Sequence, residues 1–171
     1  MDHEVRRIRA GEWRQYRELR LEALKEAPLA FEEQYSESAT RPDQFWQGRV
    51  ERGAVGAQAG MFVAAQAGRF IAKATCFVEP EVADHVSAQI VGVYVTPRSR
   101  SRGVAEELMT AVIRWARAEP RADRIRLFIM ETNERAAAFY RRIGFAATGV
   151  TVAYPPDPAY AELEMEYRGD S

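Results

Sequence analysis

Apolar residues recur along this chain with two periods, and each change of period marks a change of element. Over Gly11 to Lys25, Trp13, Tyr16, Leu19, Ala23 and Leu24 return at helical spacing with charges between them. Pro28 stops that helix. Leu29 to Ser38 predicts a short second helix carrying Phe31, Tyr35 and the acids Glu32, Glu33 and Glu37. Pro42 suits the first turn of a third helix, with Phe45, Trp46 and Val50 on its buried side. Val5 to Arg9 reads as a short edge strand before these helices, and Gly53 to Gly60 as a glycine-spaced loop after them.

From there the period shortens to two. Met61 to Gln66 and Phe70 to Val78 predict a hairpin joined at Ala67-Gly68-Arg69. After a turn over Glu79 to Asp84, Val86 to Val95 forms the long central strand. Val104 to Arg117 returns to helical spacing, with Val104, Leu108, Val112 and Trp115 as its inward stripe. Arg124 to Met130 is a strand whose continuous apolar section implies burial on both faces. Asn133 to Arg142 is a helix closed by Gly144. Two last strands, Ala146 to Tyr154 and Tyr160 to Tyr167, flank a proline-rich turn. In the final one the alternation puts Leu163 and Met165 inward and Glu162, Glu164 and Glu166 outward. The order β-α-α-α-β-β-β-α-β-α-β-β is a mixed α/β arrangement, antiparallel first, with parallel crossovers near the central strand.

Composition narrows the function classes. The 171 residues make one domain, 1–171, with 47% hydrophobic and 29% charged positions and a net charge of −1. That charge gives no reason to expect nucleic acid as a partner. The charge is unevenly spread: Arg98 to Arg126 holds eight Arg against four acids, whereas Asp157 to Asp170 holds five acids against one base. A basic face for an anionic cofactor and an acidic face for a cationic acceptor read this way, as do solvated helix faces. Cys76 is alone and sits in an apolar run, so it is expected in the core and no internal disulfide is expected. His3 and His85 have no ligand spacing, so no metal site is expected. Without a signal core or a long apolar run, the protein is expected in the cytoplasm and not in a membrane.

Two stretches carry candidate chemistry. The central strand ends at Val93-Tyr94-Val95 and Pro97, and a turn with Arg98, Arg100, Ser101, Arg102 and Gly103 opens the helix at Val104-Ala105. A helix N-terminus offers unpaired N–H groups and partial positive charge, and the small residues leave that backbone uncovered for phosphate oxygens. Alone, the turn reads equally as an ordinary β–α connection with solvated arginines. About 30 residues on comes Asn133-x-x-Ala136-x-x-Phe139-Tyr140-x-x-x-Gly144-Phe145. Asn133 reads as a helix N-cap, and Tyr140 projects from the same face as Ala136.

The spacing Arg100-x-x-Gly103-x-Ala105, followed by the Asn…Ala…Tyr…Gly-Phe stretch, resembles the GNAT family of N-acetyltransferases. The resemblance covers the chain as element order and residues 89–145 as motif. It implies a central, mostly antiparallel sheet splayed between its fourth and fifth strands and flanked by helices. Acetyl-CoA would be the co-substrate. Its pantetheine arm would pair with the backbone of Val93, Tyr94 and Val95, and its pyrophosphate would sit on the N–H groups from Arg100 through Ser101, Arg102, Gly103 and Val104 to Ala105. Asn133 matches a pantetheine contact. Tyr140 matches the usual general acid, a coenzyme-binding position as well; a buried tyrosine with a satisfied hydroxyl is the other reading. Departures are Ser101 for a glycine, Ala105 for the last glycine, the acids Glu106 and Glu107 directly after, and Lys73 where relatives commonly have a small residue.

No general base is evident, since Gln89 is an amide and Glu79, Asp84, His85 and Glu131 fall at strand ends. The acceptor side in this family is built from the first helix pair and the last hairpin, which here offer Phe31, Glu32, Glu33, Tyr35, Tyr154 and Asp157. Phe31, Glu32, Tyr35 and Tyr154 are the expected substrate contacts, and a solvated acidic helix over core aromatics is the other reading. The acceptor would be a small-molecule or peptide amine, and family habit implies a homodimer through strands near the C-terminus. Two other readings stay open: a GNAT-fold module that binds or senses acyl-CoA without turnover, and a non-enzymatic interaction domain.

Overall fold

The computed structural model describes residues 2–80 and 84–169, and the turn expected over Glu79 to Asp84 lies partly outside them. The strands are β1 (Glu4–Arg7), β2 (Ala59–Gln66), β3 (Arg69–Val78), β4 (Ser87–Val95), β5 (Arg124–Met130), β6 (Phe145–Ala153) and β7 (Ala161–Tyr167). The helices are α1 (Trp13–Glu26), α2 (Tyr35–Ser38), α3 (Asp43–Ala54), α4 (Val104–Ala118) and α5 (Glu134–Arg142). The strands form one seven-stranded sheet in the order β1-β2-β3-β4-β5-β7-β6. Neighbours are antiparallel except β4 and β5, which run parallel with α4 as their crossover.

Two faces of this sheet are covered by different helices. On one face α4 lays down Val104, Leu108, Met109, Val112 and Trp115, all buried, against Phe62, Ala72, Ala74, Cys76 and Ile90. α5 adds Ala137 and Tyr140 to that core. On the other face α1 and α3 pack Trp13, Tyr16, Trp46 and Val50 onto Met61 and Val63. A smaller cluster joins Leu19, Ala23 and Leu24 of α1 to Phe31 and Tyr94. β3 and β4 are therefore covered on both sides. Cys76 lies fully inside as expected, and burial pushes its thiol up to about 12, so it stays protonated and inert.

Three expectations are corrected. The second helix over Leu29 to Ser38 is instead a 3₁₀ turn, Pro28–Ala30, followed by the single turn of α2. Phe31 and Gln34 are extended because the backbone oxygen of Phe31 accepts from the Tyr154 hydroxyl, and Glu33 is drawn inward to Arg20 and Arg49. The loop over Gly53 to Gly60 shrinks, since α3 runs on to Ala54 and β2 begins at Ala59. Glu164, expected outward, is only 2% exposed. It accepts from Arg124, Arg126 and the Thr148 hydroxyl, so its charge is fully matched inside.

Candidate active site

A wedge opens in the middle of the sheet. β4 and β5 share three register pairs, Ser87 with Arg124, Ala88 with Ile125 and Gln89 with Arg126, and none above them. Each strand is still held on its outer side, β4 by β3 and β5 by β7. The inner edges, from Ile90 on β4 and from Leu127 on β5, thus face each other as unpaired backbone. Buried N–H and C=O groups need partners, so a ligand with its own amides fits there. Within β4 the register with β3 also slips: Tyr94 faces Lys73 and Val91 faces Thr75, which leaves Gly92 and Val93 together opposite Ala74. Gly92 has φ +64, a backbone that side chains rarely adopt, and this permits the bulge.

The foot of the wedge is clamped by charge. Arg126 donates to Glu79 and to Glu164, Arg124 to Glu164 and Glu166, and the Ser87 hydroxyl to Glu79. Burial would raise the Glu164 pKa; the bonds from Arg126 and Thr148 and the two guanidinium charges hold it below the usual carboxylate value.

At the mouth of the wedge stands the N-terminus of α4. Gly103 is its N-cap at φ +79, and no side chain caps the helix. The first-turn amides therefore point outward without a side-chain partner. Ser101 is also left-handed, at φ +61, which curls the turn so that Arg102 and Ser101 are exposed beside it. Arg100 is turned away: it donates to the Val95 carbonyl and pairs with Glu26 at 2.8 Å. The two acids at the helix start are both paired outside the turn. Glu106 binds Arg142 of α5 at 2.5 Å, and Glu107 binds His3 at 2.9 Å.

α5 follows the open end of β5 and carries the second expected stretch. Asn133 caps it as expected, its side-chain oxygen accepting from the Ala136 N–H at 3.0 Å. Tyr140 lies 7% exposed, with its ring edge-on to Phe139 and Phe145. Its hydroxyl makes no hydrogen bond to another described residue. Burial raises its pKa, so the phenol keeps its proton throughout the neutral range.

On the α1 face, the four residues expected around the acceptor occupy different settings. Phe31 is buried against Tyr94, whose hydroxyl donates to Glu22, and Glu32 is exposed. Tyr35 is half-buried beneath Lys25. Tyr154 is 1% exposed, and its hydroxyl serves the Phe31 and Pro28 carbonyls. It fastens the turn between β6 and β7 to the segment after α1.

Sequence reasoning named Glu33 and Lys73 separately but did not bring them together with Arg20 and Arg49. Arg20 is buried on the inner side of α1, and Lys73, also buried, donates from Nζ to the Gly92 carbonyl at 2.7 Å. Glu33 reaches in from the segment before α2, taking Arg20 at 3.1 Å and both terminal nitrogens of Arg49. Burial would raise the Glu33 pKa, but the two arginines bring it down to about 2. Burial, Arg20 and Arg49 together drive the Lys73 pKa well below the usual lysine value, with only Glu33 opposing. The available signal was charge at an inward position: Arg20 follows Tyr16 by four residues and Trp13 by seven, and Lys73 interrupts an apolar strand.

Among the described residues no helix is long and apolar enough to cross a membrane, and no three His, Cys, Asp or Glu side chains converge as metal ligands would. The sequence profile of the acetyltransferase (GNAT) family matches residues 12–145. No curated protein sequence matches. Among solved structures, a GNAT-family acetyltransferase from Streptococcus pneumoniae superposes with TM-score 0.82 at 14% identity, covering 96% of this chain and 98% of that one. yncA of Salmonella typhimurium, solved with its cofactor acetyl-CoA, gives 0.77 at 15% identity over 100% of this chain and 96% of that one. A GCN5-related N-acetyltransferase from Kribbella flavida gives 0.73 at 23% identity over 96% of each. The profile match spans most of the sequence and includes both walls of the wedge, and the chain belongs to the GNAT family of acetyltransferases, which use acetyl-CoA as co-substrate.

Proposed function

We propose that this chain moves an acetyl group from acetyl-CoA to a primary amine by direct attack of the amine on the thioester. The observation that carries this reading is the wedge itself: two unpaired strand edges converge on a helix N-terminus that no side chain caps. A pantetheine arm brings amides that can pair with Val93, Tyr94 and Val95, and a diphosphate matches the bare N–H groups from Gly103 to Ala105. Arg142 matches the charge of Glu106, and a hydrogen bond with His3 holds the Glu107 carboxylate, next to the anion site. Ser101, Arg102 and Val104 complete the turn around it. Arg100 reinforces the turn through the Val95 carbonyl, and it can reach the diphosphate only by leaving Glu26.

Acetyl-CoA supplies an activated acetyl group. The chain's own part is to place and stabilise. The bulge leaves Gly92 and Val93 without register partners, so the Val93 N–H can donate to an oxygen that gains negative charge. Lys73 holds the bulge by taking up the Gly92 carbonyl. Tyr140 holds a proton for the departing sulfur, and burial keeps it protonated until it is needed. Asn133 lies at the head of the same helix, with its NH2 group left over from capping.

Calorimetric titration with acetyl-CoA, followed by thiol release over a broad amine panel, tests the proposal. Binding with turnover is expected. No binding at millimolar coenzyme would overturn it, and binding without turnover would leave a sensing module.

A further inference from the structure

We infer that the amine acceptor carries a carboxylate close to its nitrogen, held by Arg20 at a pocket beside Gly92. This rests on the acetyltransfer reading and names its substrate class. The pocket, about 250 Å³, is lined by Tyr16, Arg20, Glu33, Arg49, Thr75 and Gly92 among others. That volume suits a molecule of amino-acid size rather than a folded partner.

Charge argues for the anion. Arg20 and Arg49 share one carboxylate, Glu33, and no other acid bonds to either of them among the described residues. Buried cations in excess of their anions are unfavourable unless a further anion arrives. Arg20 carries the clearest sign of a missing partner. Its side chain is 9% exposed, its terminal nitrogen holds Glu33, and its Nε is buried without any hydrogen-bond partner. A carboxylate suits such donors because a guanidinium fork matches its two oxygens.

Position then sets the class. A Cβ built on Gly92 would lie 3.3 Å from Arg20 Nη1 and 3.3 Å from Lys73 Nζ. The Arg20 guanidinium and the Lys73 amine therefore press against the bulge, one residue from the Val93 amide. An anion seated on Arg20 calls for a short link to an amine attacking the thioester carbon whose oxygen rests on the Val93 N–H, as in an α- or β-amino acid. Glycine at position 92 keeps this gap open.

The test is a pairwise substrate comparison with the full chain and acetyl-CoA. Each of the common amino acids is assayed beside its own C-terminal amide, with O-phosphoethanolamine and simple alkylamines as further probes. At least one acid should exceed its amide in kcat/KM by roughly 100-fold, the scale of losing one partner of a buried charge pair. Arg20→Gln should shrink that ratio by tenfold or more, and Arg20→Lys should recover part of it. Because the acid-to-amide ratio is read on wild-type protein first, a poorly folded variant does not remove the test. Equal use of acids and amides, or preference for the phosphate or the alkylamines, overturns the inference while acetyltransfer stands. If nothing in the panel is acetylated, this inference falls; the acetyltransfer reading falls with it only when acetyl-CoA itself fails to bind.

Discussion

The two ends of the β4–β5 pair are built on opposite principles. At the foot, three register pairs are reinforced by a network in which Arg124 and Arg126 share Glu79, Glu164 and Glu166. At the mouth the strands share no register pair, and the helix that follows starts without a side-chain cap. A sheet that opened along its whole length would fall into two halves, each with a long bare edge. Strong pairing over a few residues at the foot permits bare backbone at the mouth. The wedge is stable because its hinge is over-held, and that separates the residues that shape it from those that use it.

Substitutions at the two ends should therefore fail in different ways. At the mouth, Tyr140→Phe removes one proton donor and little else, since the hydroxyl bonds to no described residue. Turnover should fall about 10²- to 10⁴-fold, with acetyl-CoA affinity nearly unchanged by calorimetry. A variant with wild-type turnover at every pH would remove Tyr140 from the mechanism. At the foot, Glu164→Ala leaves two guanidinium groups short of a buried partner. Breaking a buried pair costs about 3–5 kcal/mol. The lower end is expected, because Arg126 keeps Glu79 and Arg124 keeps Glu166. Urea unfolding reads this directly, and a loss below about 1 kcal/mol, the level of an exposed pair, would show that the foot is not a clamp.

These two ends were unequally legible from sequence. The mouth was readable because its devices are local: a strand, a basic turn, a capless helix start, and then Asn133 and Tyr140 at fixed spacing on the next helix. The edges of β5, α4 and α5 fell within a residue or two of the expected bounds for the same reason. The foot depends on contacts between residues about 40 positions apart, such as Arg126 with Glu164, and alternation alone sent Glu164 to solvent. The basic side chains near Gly92 were hidden differently. Arg20 and Lys73 occupy positions that periodicity assigns to apolar residues, and only the fold shows that Glu33 meets them. The loop over Leu29 to Ser38 looked helical because its composition suits a helix; tertiary bonds to Phe31 and Glu33 pull it straight.

A third change touches the mouth without touching chemistry. Gly103→Val places a β-branched residue at φ +79 and sets a side chain over the bare amides of α4. The strain costs about 1–3 kcal/mol, and it appears both as lower stability and as weaker acetyl-CoA binding. Turnover at saturating coenzyme should be much less affected, which distinguishes this change from Tyr140→Phe. Unaltered affinity would mean that the helix N-terminus is not where the diphosphate rests.

The smallest expected effect concerns Glu33, which belongs to neither end of the wedge but ties α1 and α3 together through Arg20 and Arg49. Its pKa is lowered from the usual 4.5 to about 2 because the two arginines outweigh the burial that would raise it. A carboxylate depressed in the folded state contributes stability that is complete above its unfolded pKa and is lost as pH falls through the folded one. The window is therefore from about 4.5 down to about 2. Glu33 is about a third exposed, so solvent screens the effect and only part of the nominal shift should be felt. Glu33→Gln should lower stability at pH 7 while flattening the acid limb of the stability curve in that window. Glu12, Glu79 and Glu164 are depressed as well and keep some slope in the variant. Urea midpoints between pH 7 and pH 3 check this. Parallel curves for wild type and variant would mean that the Glu33 pKa is the same in the folded and unfolded chain, so that Arg20 and Arg49 give its charge no net stabilisation.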